Sequence, residues 1–234
     1  KIFFKDWTPS QNHNFSVQGT SGKTSYYMSF GYNKENGTLR FGADQLKKWN
    51  VTSNVTTNPT TWLQLGVRFN YDKKDFTTPN NIGQGAFQYL WRWPSFFGPY
   101  GTYNGLEFRP MAYRTQAAPD TYWYNYTRIG GFAKVTILPG LTLNTDYTYN
   151  IYDTEEKYYS STIYGYNNWD TITAPGYIST TTSLGEESTR EVSYAFNAYA
   201  DYNKTFFKDH NLHVMLGVNA EEGDNTDIVC KDVR

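Results

Sequence analysis

Few side chains in this sequence could carry out acid–base, nucleophilic or metal chemistry, and none has a suitable partner at a suitable spacing. Metal sites need three or four matched ligands, whereas the chain has only one cysteine and three histidines. The histidines are His13, His210 and His213. Adjacent acids such as Glu155 and Glu156 point to opposite faces of a strand, which makes them a poor acid–base pair. We therefore expect no enzyme, no metal site and no cofactor.

Aromatic rings form the second group of candidate residues, because rings stack on sugar faces and pack against peptide side chains. Most of them fall in two long stretches that lack any strand pattern. Convergent loops of this kind could bind a substrate or contact a covering protein, while packing within the loops themselves is the alternative. The candidates for substrate binding or lid contact are Trp91, Trp93, Phe96, Phe97, Tyr100, Tyr103, Trp123 and Trp169.

Strands must position these residues, because apolar and polar side chains alternate along most of the chain. In 141–151 (LTLNTDYTYNI), Leu143 and Tyr147 point to one side and Asp146 and Asn150 to the other, as the two-residue period of a strand requires. A membrane helix needs an apolar run of about 18 residues or more, and the sequence has none. Long amphipathic strands are instead typical of a transmembrane β-barrel, with lipid on one side and water on the other.

The pattern predicts an all-β fold, specifically a transmembrane antiparallel β-barrel segment of about eight long amphipathic strands. A strand of about 11 residues at about 3.3 Å per residue, tilted by about 45°, crosses about 25 Å, the height of an outer-membrane apolar band. The predicted strands lie near 11–19, 23–33, 38–56, 61–72, 122–137, 141–153, 189–205 and 211–222.

The connections between these strands alternate in length. Short turns lie at one end, here called end A, and the long loops 73–121 and 152–188 lie at the other, end B. Short turns on one side and long loops on the other are typical of outer-membrane barrels. Asn36 and Gly37 predict a tight hairpin at end B. We interpret 1–234 as a partial barrel within a longer chain.

Charged residues on the polar side of the strands are candidates for lining an aqueous interior. Charges cost little in a water-filled lumen, so their presence alone does not establish a role. A net charge of −1 shows no basic excess that would indicate nucleic-acid binding. The candidate lumen-lining residues are Arg68, Lys134, Asp146 and Asp201.

Several segments resemble barrel hairpins of SusC-type TonB-dependent outer-membrane transporters of Bacteroidetes (the SusC/RagA family). Residues 11–42 (QNHNFSVQGTSGKTSYYMSFGYNKENGTLRFG) are similar to an aromatic hairpin of that family. Residues 60–75, 138–150 and 208–222 are similar to later hairpins, in the same order. Each motif alone is weakly specific, whereas their order and spacing together cover most of the chain outside the long loops.

The resemblance implies an internal segment of a larger, 22-stranded and plugged barrel that crosses the bacterial outer membrane many times. It implies contact with outer-membrane lipid and import of glycan or peptide cargo. It also implies two protein partners. One is a SusD-type surface lipoprotein that acts as a lid, and the other is the TonB complex, which would act through a plug region that this stretch does not show.

Two other functions fit the strand pattern. A complete eight-stranded outer-membrane barrel, serving as a pore or adhesin, requires the first strand to pair with the eighth. A soluble glycan-binding β-sandwich requires the apolar faces to be buried against each other. Strand pairing and burial therefore discriminate between these architectures and the importer segment.

Overall fold

The computed structural model describes residues 4–40, 44–79, 102–103, 106–107, 118–160, 162–165, 177–179, 182–207 and 209–233. Among these residues, no helix is long and apolar enough to cross a membrane. The strands are β1 (Ser10–Ser21), β2 (Thr24–Asn36), β3 (Gln45–Thr57), β4 (Leu63–Pro79), β5 (Thr102–Tyr103), β6 (Leu106–Glu107), β7 (Pro119–Leu138), β8 (Leu141–Ser160), β9 (Ile163–Tyr164), β10 (Tyr177–Ser179), β11 (Ser183–Phe206) and β12 (His210–Val233).

Eight long strands form one antiparallel sheet in the order β1-β2-β3-β4-β7-β8-β11-β12. The short strands form two separate pairs, β5 with β6 and β9 with β10. This confirms the predicted fold class, a segment of an antiparallel barrel wall. Strands β1 and β12 are the two edges of the sheet and do not pair with each other in the described part of the chain. The closed eight-stranded barrel is therefore wrong.

Successive strands are shifted along their axes relative to one another, and the closure of a barrel requires such a stagger. One row of paired residues crosses the sheet from Thr24, the first residue of β2. It passes through Leu65 in β4 and Thr145 in β8 and reaches Val218 in β12. Val218 lies eight residues after His210, where β12 starts, and six strand spacings separate the two strands. At about 3.4 Å per residue and about 4.8 Å per spacing, this stagger corresponds to a tilt of roughly 45°. Strands of transmembrane barrels have tilts of that size.

One face of the sheet, here called the apolar face, carries the register row that contains Val67, Tyr147 and Phe196. These side chains are exposed, by 57%, 48% and 40% respectively, and Leu216 of β12 is exposed by 78%. A sandwich would have buried them, so the soluble β-sandwich is also wrong. Among the described residues, the buried hydrophobic side chains are Leu39 and Ile163, neither of which belongs to this face of the sheet.

The apolar face ends at a row of charged and polar residues on the side of end B. Lys73, Asn125, Asp153 and Arg190 are aligned across β4, β7, β8 and β11. Arg190 Nε lies 3.7 Å from Asp153 Oδ1. Trp49 extends the same row into β3, where an aromatic ring suits the membrane–water boundary. Strands β4, β7, β8 and β11 continue beyond this row toward end B, so each has an apolar part and a shorter, wet extension.

Two glycines form the tight turns at end A. Gly22 has φ of 59° in the two-residue turn between β1 and β2, and Gly140 has φ of 88° after Pro139 between β7 and β8. Proline followed by a residue of positive φ is the arrangement of a type II turn. The backbone N–H of Asn203 in β11 donates a hydrogen bond to the Gly140 carbonyl at 2.7 Å. The turn is thereby attached to its neighbouring hairpin.

At end B the strands extend further than the sequence indicated. Strand β4 reaches Pro79 and β7 begins at Pro119, while β8 reaches Ser160 and β11 begins at Ser183. The predicted loops 73–121 and 152–188 therefore include residues at both of their ends that belong to strands. The alternation fades in these extensions because both of their faces can contact water, which removes the pressure for one apolar side.

The predicted tight hairpin at Asn36 and Gly37 is wrong. Asn36 pairs with Gln45, so residues 37–44 connect β2 to β3. The backbone N–H of Gly37 donates to the carbonyl of Asp44 at 2.8 Å, and Leu39 forms an isolated bridge with Phe4. The predicted third strand, 38–56, correspondingly begins later, at Gln45.

Candidate functional site

The face opposite the apolar one, here called the polar face, carries all four predicted lumen-lining residues. The Arg68 guanidinium carbon lies 4.8 Å from the centroid of the Phe132 ring. Lys134 is paired with Gln64 in the register of β4 and β7. Asp146 and Asp201 lie in β8 and β11. The structure thus places these residues on one side of the wall, and their role in lining a path remains a prediction.

A chain of hydrogen bonds crosses the polar face from β8 to β12. The Asn219 side-chain amide donates to Asn197 Oδ1 at 2.7 Å, and the Asn197 amide donates to Asp146 Oδ2 at 2.9 Å. Asp146 therefore has a fixed partner two strands from the sheet edge. Such a network orders polar side chains that face water, because each acceptor position is set by the next donor.

Asp201 meets His213, a pairing that the sequence analysis missed. Asp201 Oδ2 lies 2.6 Å from His213 Nε2, and Asp201 Oδ1 accepts a hydrogen bond from the Asn203 amide at 2.5 Å. The signal was present in the hairpin itself. Strands β11 and β12 pair Asn203 with His213, which makes Asp201 a diagonal neighbour on the same face.

A second polar network was also missed, and it centres on Asn150. The Tyr126 hydroxyl and Arg128 Nε both donate to Asn150 Oδ1, at 3.2 and 2.9 Å. The Asn150 amide donates to Ser193 Oγ at 3.2 Å. These residues join β7, β8 and β11 just below the wet extensions of the strands. Sequence alone gave no reason to select Tyr126 among the 22 tyrosines of the chain.

Acidic and tyrosine side chains gather on the polar face of the extensions of β7 and β8. Burial, reinforced by the charge of Glu156 and opposed by a hydrogen bond from the Tyr159 backbone N–H, raises the pKa of Asp120 from 3.8 to about 6. Burial and a hydrogen bond to Glu156 raise the pKa of Tyr122 to about 12. Asp120 lies 18 residues from Leu138 at end A, well beyond an apolar band about 25 Å high.

The raised pKa predicts a pH-dependent stability of this region. Because Asp120 holds its proton more tightly in the folded protein, protonation stabilises the fold at low pH, and this stabilisation is lost as pH rises from about 4 through about 6. We expect the amides at the end-B ends of β7 and β8 to be better protected from hydrogen exchange at pH 5 than at pH 7. Asp120→Asn, which keeps an acceptor for Tyr159, should remove the difference. An unchanged pH dependence in that variant would contradict the assignment to Asp120.

Most of the predicted aromatic contact residues cannot be placed on the sheet. Trp91, Trp93, Phe96, Phe97, Tyr100 and Trp169 lie outside the described residues, and Tyr103 lies in β5, where only the backbone is described. Trp123 pairs with Asp75 and Glu155. It is therefore on the side of the sheet that continues the apolar face, with Lys157 Nζ 5.4 Å from its ring centroid. Substrate binding by these residues remains a prediction.

No protein-family model and no curated protein matches the sequence. Solved structures do match it. A chain of the RagAB peptide importer in the closed-closed state superposes over 99% of this chain with a TM-score of 0.78 and 21% identity. The chain has the fold of that stretch of the importer. A second RagAB peptide transporter structure gives a TM-score of 0.75 at 19% identity, and the open-open state gives 0.74 at 21%.

These matches confirm, at the level of fold, the resemblance seen in the sequence motifs. In all three cases the chain spans 26% of the matched chain. The described fold is therefore that of about a quarter of such a protein.

Proposed function

We propose that this chain is part of the wall of an outer-membrane, TonB-dependent importer that admits oligosaccharides or peptides and works with a SusD-type lid lipoprotein. The observation that carries the proposal is the superposition of 99% of the chain on part of a RagAB peptide importer chain, at a TM-score of 0.78. The similarity to a peptide importer favours peptides over oligosaccharides. The proposal that the TonB complex and a lid protein are partners rests on the sequence resemblance to the SusC/RagA family.

The exposure of the apolar face supports a membrane location. Val67, Leu216 and Val218 are exposed by 57%, 78% and 67%, and soluble proteins rarely expose a continuous apolar surface of this kind. Lipid would cover this face, and the charged row through Lys73 and Arg190 would lie at the external boundary. The stagger of the strands supports the same arrangement, because it gives the tilt of a membrane barrel.

Uptake can be tested with the full-length gene in the source bacterium. We expect its deletion to slow the depletion of peptides, or of oligosaccharides, from the medium, and the intact gene to restore it. Restoration should fail in cells that lack TonB, because energy for import would come through the TonB complex. Depletion of both cargo classes at the same rate with and without the gene would count against the proposal.

The lid partner can be tested separately. Full-length protein carrying an affinity tag, extracted from outer membranes in mild detergent, should copurify with a surface lipoprotein in stoichiometric amount. Recovery of the barrel alone, under conditions in which it still binds its cargo, would exclude a stable lid partner while leaving the import function in place.

A further inference from the structure

A concave site of about 460 Å³ lies across β3, β4, β7 and β8 where their extensions begin. Most of its lining residues belong to the polar face, including Lys48, Lys74, Tyr124, Tyr126 and Tyr152. The sequence analysis selected none of these residues. Most of the site lies on the end-B side of the polar networks, so material entering from end B would reach it before them.

Two lysines face each other at this site. Lys48 in β3 is directly paired with Lys74 in β4, and like charges placed directly opposite each other destabilise a sheet. Among the described residues, neither lysine forms an ion pair. Asp72 precedes Lys74 by two residues on the same face and also lines the site, so the polar-face residues of the site carry two ammonium groups against one carboxylate. The cluster therefore carries positive charge that an anion could neutralise.

Tyrosine rings form the other side of the site. Lys74 Nζ lies 4.6 Å from the centroid of the Tyr124 ring, a cation–π distance that holds the ammonium group in place. The Tyr126 and Tyr152 rings meet edge to face at 6.5 Å. Tyr126 is further fixed by its hydrogen bond to Asn150. Fixed rings beside two ammonium groups suit a ligand that has both a negative charge and an apolar surface.

The charge on the neighbouring strands restricts where an anion could bind. Glu156 in β8 is paired with Glu187 in β11, on the polar face and two residues closer to end B than the row of Lys48 and Lys74. Like charge repels an anion from that position. On the described part of this face, the lysine pair is therefore the favourable location for a negative group near end B.

We propose that Lys48 and Lys74, together with Tyr124, Tyr126 and Tyr152, form a binding subsite for a carboxylate group of the cargo. This inference rests on the proposed import function, because carboxylate is the anion that peptides and acidic oligosaccharides share. Each ammonium group supplies charged hydrogen-bond donors, and the rings contact the part of the cargo next to the carboxylate. A peptide would present its C-terminus or an acidic side chain, and a glycan would present a uronic acid.

The test compares acidic and neutralised forms of the same cargo in cells that express the full-length protein. One arm supplies a protein digest together with a C-terminally amidated, carboxyl-blocked copy of it, and a second arm supplies oligogalacturonate together with its methyl ester. Mass spectrometry follows the depletion of each form. We expect the wild type to favour the acidic form in at least one arm, and the arm concerned identifies the source of the carboxylate.

The double variant Lys48→Gln/Lys74→Gln should lower the preference for the acidic form by about tenfold, the effect of losing a hydrogen bond to a charged group. Lys48→Arg/Lys74→Arg should retain it. The matched control is Lys34→Gln/Lys47→Gln, which removes another directly paired pair of lysines, lies on the opposite face and should leave the preference unchanged.

Two results would overturn the subsite while leaving the import function intact. One is an unchanged preference in the double glutamine variant. The other is an equal loss of acidic and neutralised cargo, which would show that the lysines hold another part of the protein instead. A wild type that imports neither class of cargo would overturn the proposed function, and the subsite with it.

Discussion

Replacing Leu216 with arginine should strongly impair assembly of the full-length protein in the outer membrane. Leu216 is exposed by 78% and lies at the middle of the apolar run that extends from Leu212 to Ala220 along β12. At the middle of the bilayer, an arginine that faces lipid costs about 2–4 kcal/mol, and the cost falls toward the interfaces. Leu143→Arg, close to end A, should therefore have a smaller effect.

Met215→Arg is the matched control, because Met215 is the neighbouring residue and lies on the polar face, paired with Asp201. It introduces the same charge at nearly the same depth. Assembly can be followed by recovery of folded barrel from outer membranes, using the mobility difference between folded and heat-denatured protein on gels. Equal recovery of Leu216→Arg and wild type would show that lipid does not cover this face.

Gly140→Ala should destabilise the barrel far more than Gly22→Ala does. Both glycines have positive φ, which costs other residues about 1–2 kcal/mol. A Cβ at Gly22 would meet no atom within 4 Å, whereas a Cβ at Gly140 would collide with the Asn203 carbonyl oxygen. Overpacking adds about 1–3 kcal/mol, so we expect a total of about 2–5 kcal/mol at Gly140.

The comparison separates strain within the turn from contact with the next hairpin. Denaturant unfolding of full-length protein refolded into lipid vesicles would give the difference between the two variants. Equal destabilisation would mean that the Gly140 turn does not contact β11 as the structure describes. The hydrogen bond from the Asn203 backbone N–H to the Gly140 carbonyl gives a second readout. If the turn contacts β11 in this way, the Asn203 amide should exchange faster in Gly140→Ala than in the wild type, and its exchange should be unchanged in Gly22→Ala.

The candidate sites were only partly predictable. Strand alternation alone placed Arg68, Lys134, Asp146 and Asp201 on the polar face, and their role in lining a path stays a prediction. The pairing of Lys48 with Lys74 was not found, because it depends on the register between two strands joined by a turn whose length the pattern does not set. The prediction of a tight hairpin at Asn36 and Gly37 was wrong for a related reason. A turn signal favours a local conformation, but pairing of the flanking strands decided where the connection begins.

The sequence by itself determined which side of each strand is apolar, where the short turns lie, and that the strands are long enough to cross a membrane. These features follow from a two-residue period and from turn residues, which are local. Only the tertiary structure decided the register of the strands. The register in turn sets the stagger and tilt of the strands, the contact between Asp201 and His213, and the pairing of Lys48 with Lys74. Register depends on hydrogen bonding between distant segments, and beyond the apolar band no hydrophobic pattern remains in the sequence to indicate it.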